Sequence, residues 1–244
     1  MKKIVLLVSA LLMISSHAVS EEMKHEMKPE MKTQQMGKKM PTRFQAVSPD
    51  KAVILQEGEA KMFCPKCGMT LPMFYKTNHA AHVDGKSEQY CSIHCLAETM
   101  ADGGKVTGIK VVDNTTLKFI DVIKAWYVMG SNKAGTMSMT SKYAFGKKSD
   151  AEKFAKEFGG KVMTFHAVLT SVKSTLDKES AMVKKRQAMV AQKGEMMYNN
   201  LCTPFESKFN SIAEAKTYLV TQKPCGDLKG KQLQAIAIYL NLRK

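Results

Sequence analysis

Aromatic residues are scarce in this chain: they make up 7% of its 244 positions, with one tryptophan among them. No basic helix with interleaved aromatics occurs. The net charge of +15 comes from lysines scattered along the chain. That pattern argues against nucleic acid and reads as a solvated basic surface, with an acidic protein partner as the functional alternative. Beyond the N-terminus no stretch is long and apolar enough to cross a bilayer. No cysteine stands near residue 20, which argues against a lipid anchor there. Residues 21–43 contain no aliphatic or aromatic residue except methionine. Such a segment cannot bury enough apolar surface to order itself, so a disordered arm is expected.

What is abundant is sulfur: nineteen methionines and six cysteines. The N-terminus opens with Lys2 and Lys3, continues with an apolar run from Ile4 to Ile14, and reaches Ala18-Val19-Ser20. This is the pattern of a Sec-type signal peptide over residues 1–20, cleaved after Ser20, and it predicts a periplasmic or secreted protein. An N-terminal membrane anchor is the alternative, but the apolar run falls short of about 20 residues. In the arm, Met23, His25 and Met27 form a soft thioether and imidazole cluster suited to copper, above all Cu(I). The competing reading is a plain linker.

Hydrophobic residues make up 44% of the chain, enough for a core in two units. Residues 44–170 contain an internal repeat. The tetrapeptide Gly-Gly-Lys-Val occurs at 103–106 and at 159–162, each time closing a helical stretch and opening a strand. Short strand-like runs precede each helix, one of them turning on Asp84-Gly85. The order strand, strand, helix, strand is therefore expected twice, giving an α+β fold. A helix is predicted over 149–158, with Ser149 as its N-cap. Residues 171–244 read as helical.

The chemistry concentrates in two cysteine pairs. Cys64 and Cys67 stand in "FCPKCGM", followed by Met69. Cys91 and Cys95 stand in "YCSIHCLAETM", with His94 between them. Four readings compete. Four thiolates can hold a structural Zn(II). Cys64 and Cys67 can form a redox dithiol. All four can pair as disulfides. Cys67 and Met69, with one or more of the other cysteines, can hold Cu(I). Met62, Met69, Met73 and Met100 flank the cysteines, and Met137 and Met139 follow in the second half. Thioethers add little for zinc and much for Cu(I), which favours the last reading. A thioredoxin-like site lacks the βαβ context it needs. His94 is the candidate histidine ligand; His79, His82 and His166 read as packing or surface residues, His166 on a strand.

"CPKCGM", "VDGKSEQYCSIHC", "AWYVMGS", "MSMTSKYAFGKKSDAEKFAKEFGG" and "KVMTFHAVL" together resemble the NosL family, over roughly residues 60–170. The resemblance implies two related ββαβ halves; the Met-rich arm at 21–40 and the helical C-terminal domain are additions to that pattern. The resemblance also implies a non-enzymatic Cu(I) carrier serving nitrous oxide reductase, beside a membrane ABC-type maturation complex. By position, Cys67 and Met69 match the family's metal-binding motif, preceded by Cys64. Cys91, Cys95 and Met137 fall in matching segments. Members are commonly lipoproteins; without a lipobox cysteine this chain would be limited to peripheral membrane association. "GEMMYNNLCTPF" and "KGKQLQAIAIYLNLRK", in the 171–244 extension, resemble the first and last helices of a small cytochrome c. Cys202-Thr203-Pro204-Phe205-Glu206 lacks the second thiol and the histidine of a haem site, so the resemblance implies a degenerate docking module tied by Cys202 and Cys225, with a structural helical cap without a function of its own as the equal alternative.

Overall fold

The structure, a computed structural model, describes residues 43–243. The expected signal peptide and the expected arm cluster of Met23, His25 and Met27 lie outside the described residues.

The fold is α+β, and the strand, strand, helix, strand order does occur twice. In the first half β1 (His79–Val83) and β2 (Lys86–Tyr90) form a hairpin, α1 (Ile93–Ala101) follows, and β3 (Val106–Val112) returns. The hairpin turns at Asp84 and Gly85, whose φ values are 48° and 83°. Positive φ at both central residues makes the turn twist with the strands. After β4 (Phe119–Asp121) the second half repeats the order with β5 (Trp126–Met129), β6 (Lys142–Phe145), α2 (Lys148–Phe158) and β7 (Lys161–Thr164). Both sheets are antiparallel, ordered β2-β1-β3-β4 and β6-β5-β7, so each half places its first strand between its second and third.

Two local expectations need correction. The cap of α2 is Lys147, with no side-chain hydrogen bond; Ser149 sits inside the first turn. Asp150 in that turn meets the helix dipole instead. His166 is helical, not in a strand. β7 stops at Thr164, whose hydroxyl accepts the Ala167 amide and starts a helix there.

That helix, α3 (Phe165–Leu201), has 37 residues and is about 55 Å long at about 1.5 Å per residue. It crosses residue 170 without a break. Phe165, Val168, Val172 and Leu176 recur at three- and four-residue spacing and bury against Ile93, Ala97, Val111 and Tyr127. Its far end places Tyr198 in a second core with α4 (Ile212–Thr221) and α5 (Gly230–Leu242). In α5 Leu233, Ile236 and Ile238 are buried as their spacing implies, while Leu242, at the helix end, is exposed. A Cys202–Cys225 disulfide closes the loop side of this helical extension. Among the described residues no helix is long and apolar enough to cross a membrane.

Candidate metal centre

The first cysteine pair sits on a knuckle. Phe63 and Thr70 pair in an isolated antiparallel bridge, and the Leu71 amide donates to the Met62 carbonyl at 2.9 Å. Inside this bridge the Cys64 amide donates to the Met69 carbonyl at 2.9 Å, and the Gly68 amide to the Cys64 carbonyl at 2.8 Å. Gly68 holds φ at +67°, a conformation that favours glycine, and this curls both thiols to one side. Gln56 fastens the knuckle to β2. Its amide donates to the Lys61 and Phe63 carbonyls at 2.8 Å, and its oxygen accepts from the Gln89 amide at 2.9 Å.

The second pair comes from the junction of β2 and α1. Cys91 follows the strand, and the Thr77 hydroxyl donates to its carbonyl at 2.8 Å. Cys95 lies in the first turn of α1. The Sγ atoms of Cys67 and Cys91 are 3.4 Å apart, and those of Cys91 and Cys95 3.7 Å. All four Sγ atoms lie within 4.8 Å of one another. All four thiols are free and buried. Four sulfurs about 2.3 Å from a tetrahedral ion stand about 3.8 Å apart, so the cage fits one soft cation.

The cage is electrostatically uneven. Burial alone would raise the Cys64 thiol, but hydrogen bonds with Cys67, Cys91 and Cys95 bring it well below the ordinary thiol range. Burial pushes Cys91 well up, reinforced by its bonds to Cys64 and Cys67. Cys95 is also pushed well up, first by its contacts with Cys64, Cys67 and Cys91, then by burial. Cys64 therefore favours the thiolate, a nucleophile for a soft cation, while Cys91 and Cys95 favour the thiol.

Cys67 has a second face. With Met69, Met137 and Met139 it lines a cavity of about 410 Å³, walled on the far side by Val190 of α3 and Ile238 of α5. Met139 is 78% exposed, and Met137 holds φ at +63°, unusual for a residue with a side chain. The structure thus brings Cys64, Cys67, Cys91 and Cys95 together, and sets Met69 and Met137 beside them. It does not bring His94. That ring is buried with Nδ1 3.3 Å from Glu179 and Nε2 3.5 Å from Glu98, a bridge between α1 and α3. The position beside Cys95 is misleading, because successive residues on a helix point in different directions.

Residues 56–172 match the NosL family. That NosL-like stretch spans just under half of the chain. No curated protein matches the sequence. Among solved structures, the crystal structure of the copper chaperone NosL from Shewanella denitrificans is 25% identical, covering 48% of this chain and 96% of that one, with a TM-score of 0.39.

Three functional positions escape sequence reasoning. Gln56 fastens the knuckle. Gln234 of α5 donates to the Cys67 carbonyl at 3.2 Å. Lys216 of α4 is buried with its Nζ 4.9 Å from the centre of the Phe63 ring. Only the last left a signal: Lys216 interrupts the apolar series Ile212, Ala215, Leu219 on the buried side of α4.

Proposed function

We propose that the protein is a periplasmic Cu(I) carrier that delivers copper by ligand exchange for assembly of the nitrous oxide reductase copper centre. It turns over no substrate. The NosL match over residues 56–172 supports the reading. The observation that carries it is the double role of Cys67, which belongs both to a buried thiol cage and to a methionine-lined cavity. Thioethers bind Cu(I) weakly, keep no proton and resist the oxidation that silences exposed thiols. Met139 and Met137 would receive the ion, Met69 and Cys67 would draw it inward, and the thiolate at Cys64 would hold it. Release reverses the order, as an acceptor's ligand attacks from the cavity before Cys67 lets go. Arg43 and Arg186 also line the cavity, and with a net charge of +15 they suit an acidic acceptor.

A competition titration with a Cu(I) chelator tests this. The reduced protein should take up one tight Cu(I) and, on the arm at Met23, His25 and Met27, weaker equivalents. Losing only an outer partner of a metal ligand lowers affinity by about 10–100-fold, so Cys67→Ser should lower it by at least about 100-fold. Unchanged tight binding in that variant would remove the assignment.

A second reading has its own observation. Four buried thiols within 4.8 Å fit a closed Zn(II) cage, which would make the domain a zinc-stapled interaction module. Metal analysis of protein taken from its own periplasm separates the two. Stoichiometric zinc, with unfolding on chelation, would favour the module.

A further inference from the structure

Lys216 is an anomaly that the carrier reading leaves unused. Its side chain comes from α4, outside the NosL-like stretch, and is 1% exposed. A buried ammonium without an anion is unfavourable, and such groups are normally paired. No carboxylate lies within ion-pair distance of Lys216 among the described residues. Its one hydrogen-bond partner among them is the Thr70 hydroxyl at 3.4 Å, with the Phe63 ring beneath it. Both residues belong to the cysteine knuckle. Burial pushes the ammonium down to about 8. Cys64 and Cys67 stand on that knuckle between Phe63 and Thr70, so the anion that the fold offers this ammonium is the cage.

We propose that Lys216 is the counter-charge of the thiol cage, supplied by the C-terminal extension, so that metal loading and docking of α4 and α5 onto the knuckle reinforce each other. This rests on the Cu(I) reading of the same site. One Cu(I) bound by two thiolates carries a net charge of −1, which a single ammonium neutralises. A Zn(II) on four thiolates carries −2 and would leave one charge unbalanced in a buried site. The extension thus biases the cage toward the cuprous, two-thiolate state. Coupling is reciprocal: what steadies the loaded cage also holds the helices down. Two other contacts complete the docking. Gln234 bonds the Cys67 carbonyl, and Ile212 packs against Gly68.

The test uses the reduced, full-length chain and Cu(I) itself. Lys216→Met keeps the length of the side chain and removes its charge; Lys216→Arg keeps the charge. Removing a buried unit charge near the site should lower Cu(I) affinity by about tenfold or more. The arginine variant should restore most of it. In metal-free protein the ultraviolet thiolate absorbance should titrate at higher pH in Lys216→Met than in wild type, and return in Lys216→Arg. A purely structural lysine would not move that signal. Hydrogen exchange in α4 and α5 should slow on Cu(I) loading in wild type and not in Lys216→Met. Unchanged affinity and an unchanged thiolate titration in a folded Lys216→Met protein would overturn the proposal. Should that variant not fold, Lys216→Gln carries the same comparison. Failure of wild type to bind Cu(I) would sink the carrier reading instead, and the thiolate titration would still decide the role of Lys216.

Discussion

The two ββαβ halves share a topology and differ in what fills them. The first half packs Cys64, Cys67, Cys91 and Cys95 with Leu71, Tyr90 and Leu96. The second packs Val128, Tyr143, Phe145, Ala151 and Phe154, with Phe44 and Phe158 against them. Phe154 is its hub, with ring centres 4.8 Å from Phe158, 5.0 Å from Phe145 and 5.6 Å from Tyr143. An aromatic core is complete as the chain supplies it. A thiol core is not, because clustered buried sulfurs gain most when a cation joins them. The same scaffold therefore serves once as a support and once as a receptacle. On the proposed reading the aromatic half is the support and the sulfur half is where occupancy would change.

The largest effect expected is on the aromatic side. Phe154→Ala should lower stability by about 3–5 kcal/mol, the usual range for deleting a buried phenylalanine. Denaturant unfolding would measure it. Cu(I) affinity of the folded fraction should not change; a parallel loss of affinity would break the division of labour between the halves.

Next is the seam between them. His79 on β1 is buried, and its ring faces Tyr127 on β5. Its Nδ1 lies 3.1 Å from the Thr77 carbonyl and its Nε2 2.9 Å from the Tyr127 hydroxyl. The neutral ring thus donates at Nδ1 and accepts at Nε2. Burial pushes this histidine from 6.5 down to about 4, partly offset by the bond to Thr77. The unfolded chain takes up a proton near 6.5 that the folded chain refuses until about 4. The contribution is therefore full above 6.5 and is lost as pH falls toward 4. At about 1.4 kcal/mol per unit, the loss is about 3 kcal/mol. Urea midpoints at neutral pH and near the lower limit would show it as a steeper acid loss in wild type than in His79→Gln. Equal slopes would remove the seam from the account.

Much of this was legible in the residues. The paired Gly-Gly-Lys-Val turns placed both helices and the strands after them, because a stop after a helix is a local event written in glycine. Cys64, Cys67, Cys91 and Cys95 were legible as a group, because soft ligands at short spacing have few other uses. His94 was misjudged because proximity in sequence hides direction on a helix. The His166 boundary was missed because the apolar spacing of Val162 to Leu169 suits strand and helix equally until the Thr164 cap decides. The contact of α4 and α5 with the knuckle was invisible, since it joins residues more than a hundred positions apart, such as Gln234 and Cys67. Local pattern cannot encode such a pairing.

The smallest effect tests that contact. Gly68 meets the extension directly: a Cβ there would lie 2.3 Å from Ile212 Cγ2 and 2.7 Å from Ile212 Cβ. The Cγ2 methyl can rotate away, but Ile212 Cβ is fixed to the backbone of α4, so the helix itself must shift. Gly68→Ala also strains a φ of +67°. Together these should lower stability by about 1–3 kcal/mol, as overpacking usually does. The two causes can be told apart. Ile212→Gly removes both clashing side-chain atoms and leaves the backbone strain at position 68, so the double variant reports on the contact alone. If docking on the knuckle matters, Gly68→Ala should speed hydrogen exchange in α4 and α5 and leave the aromatic half unchanged, and Ile212→Gly should partly reverse the stability loss. A loss that the second substitution does not touch would mean that only the turn is strained. The sulfur half would then stand without the extension, and its difference from the aromatic half would lie in the four thiols alone.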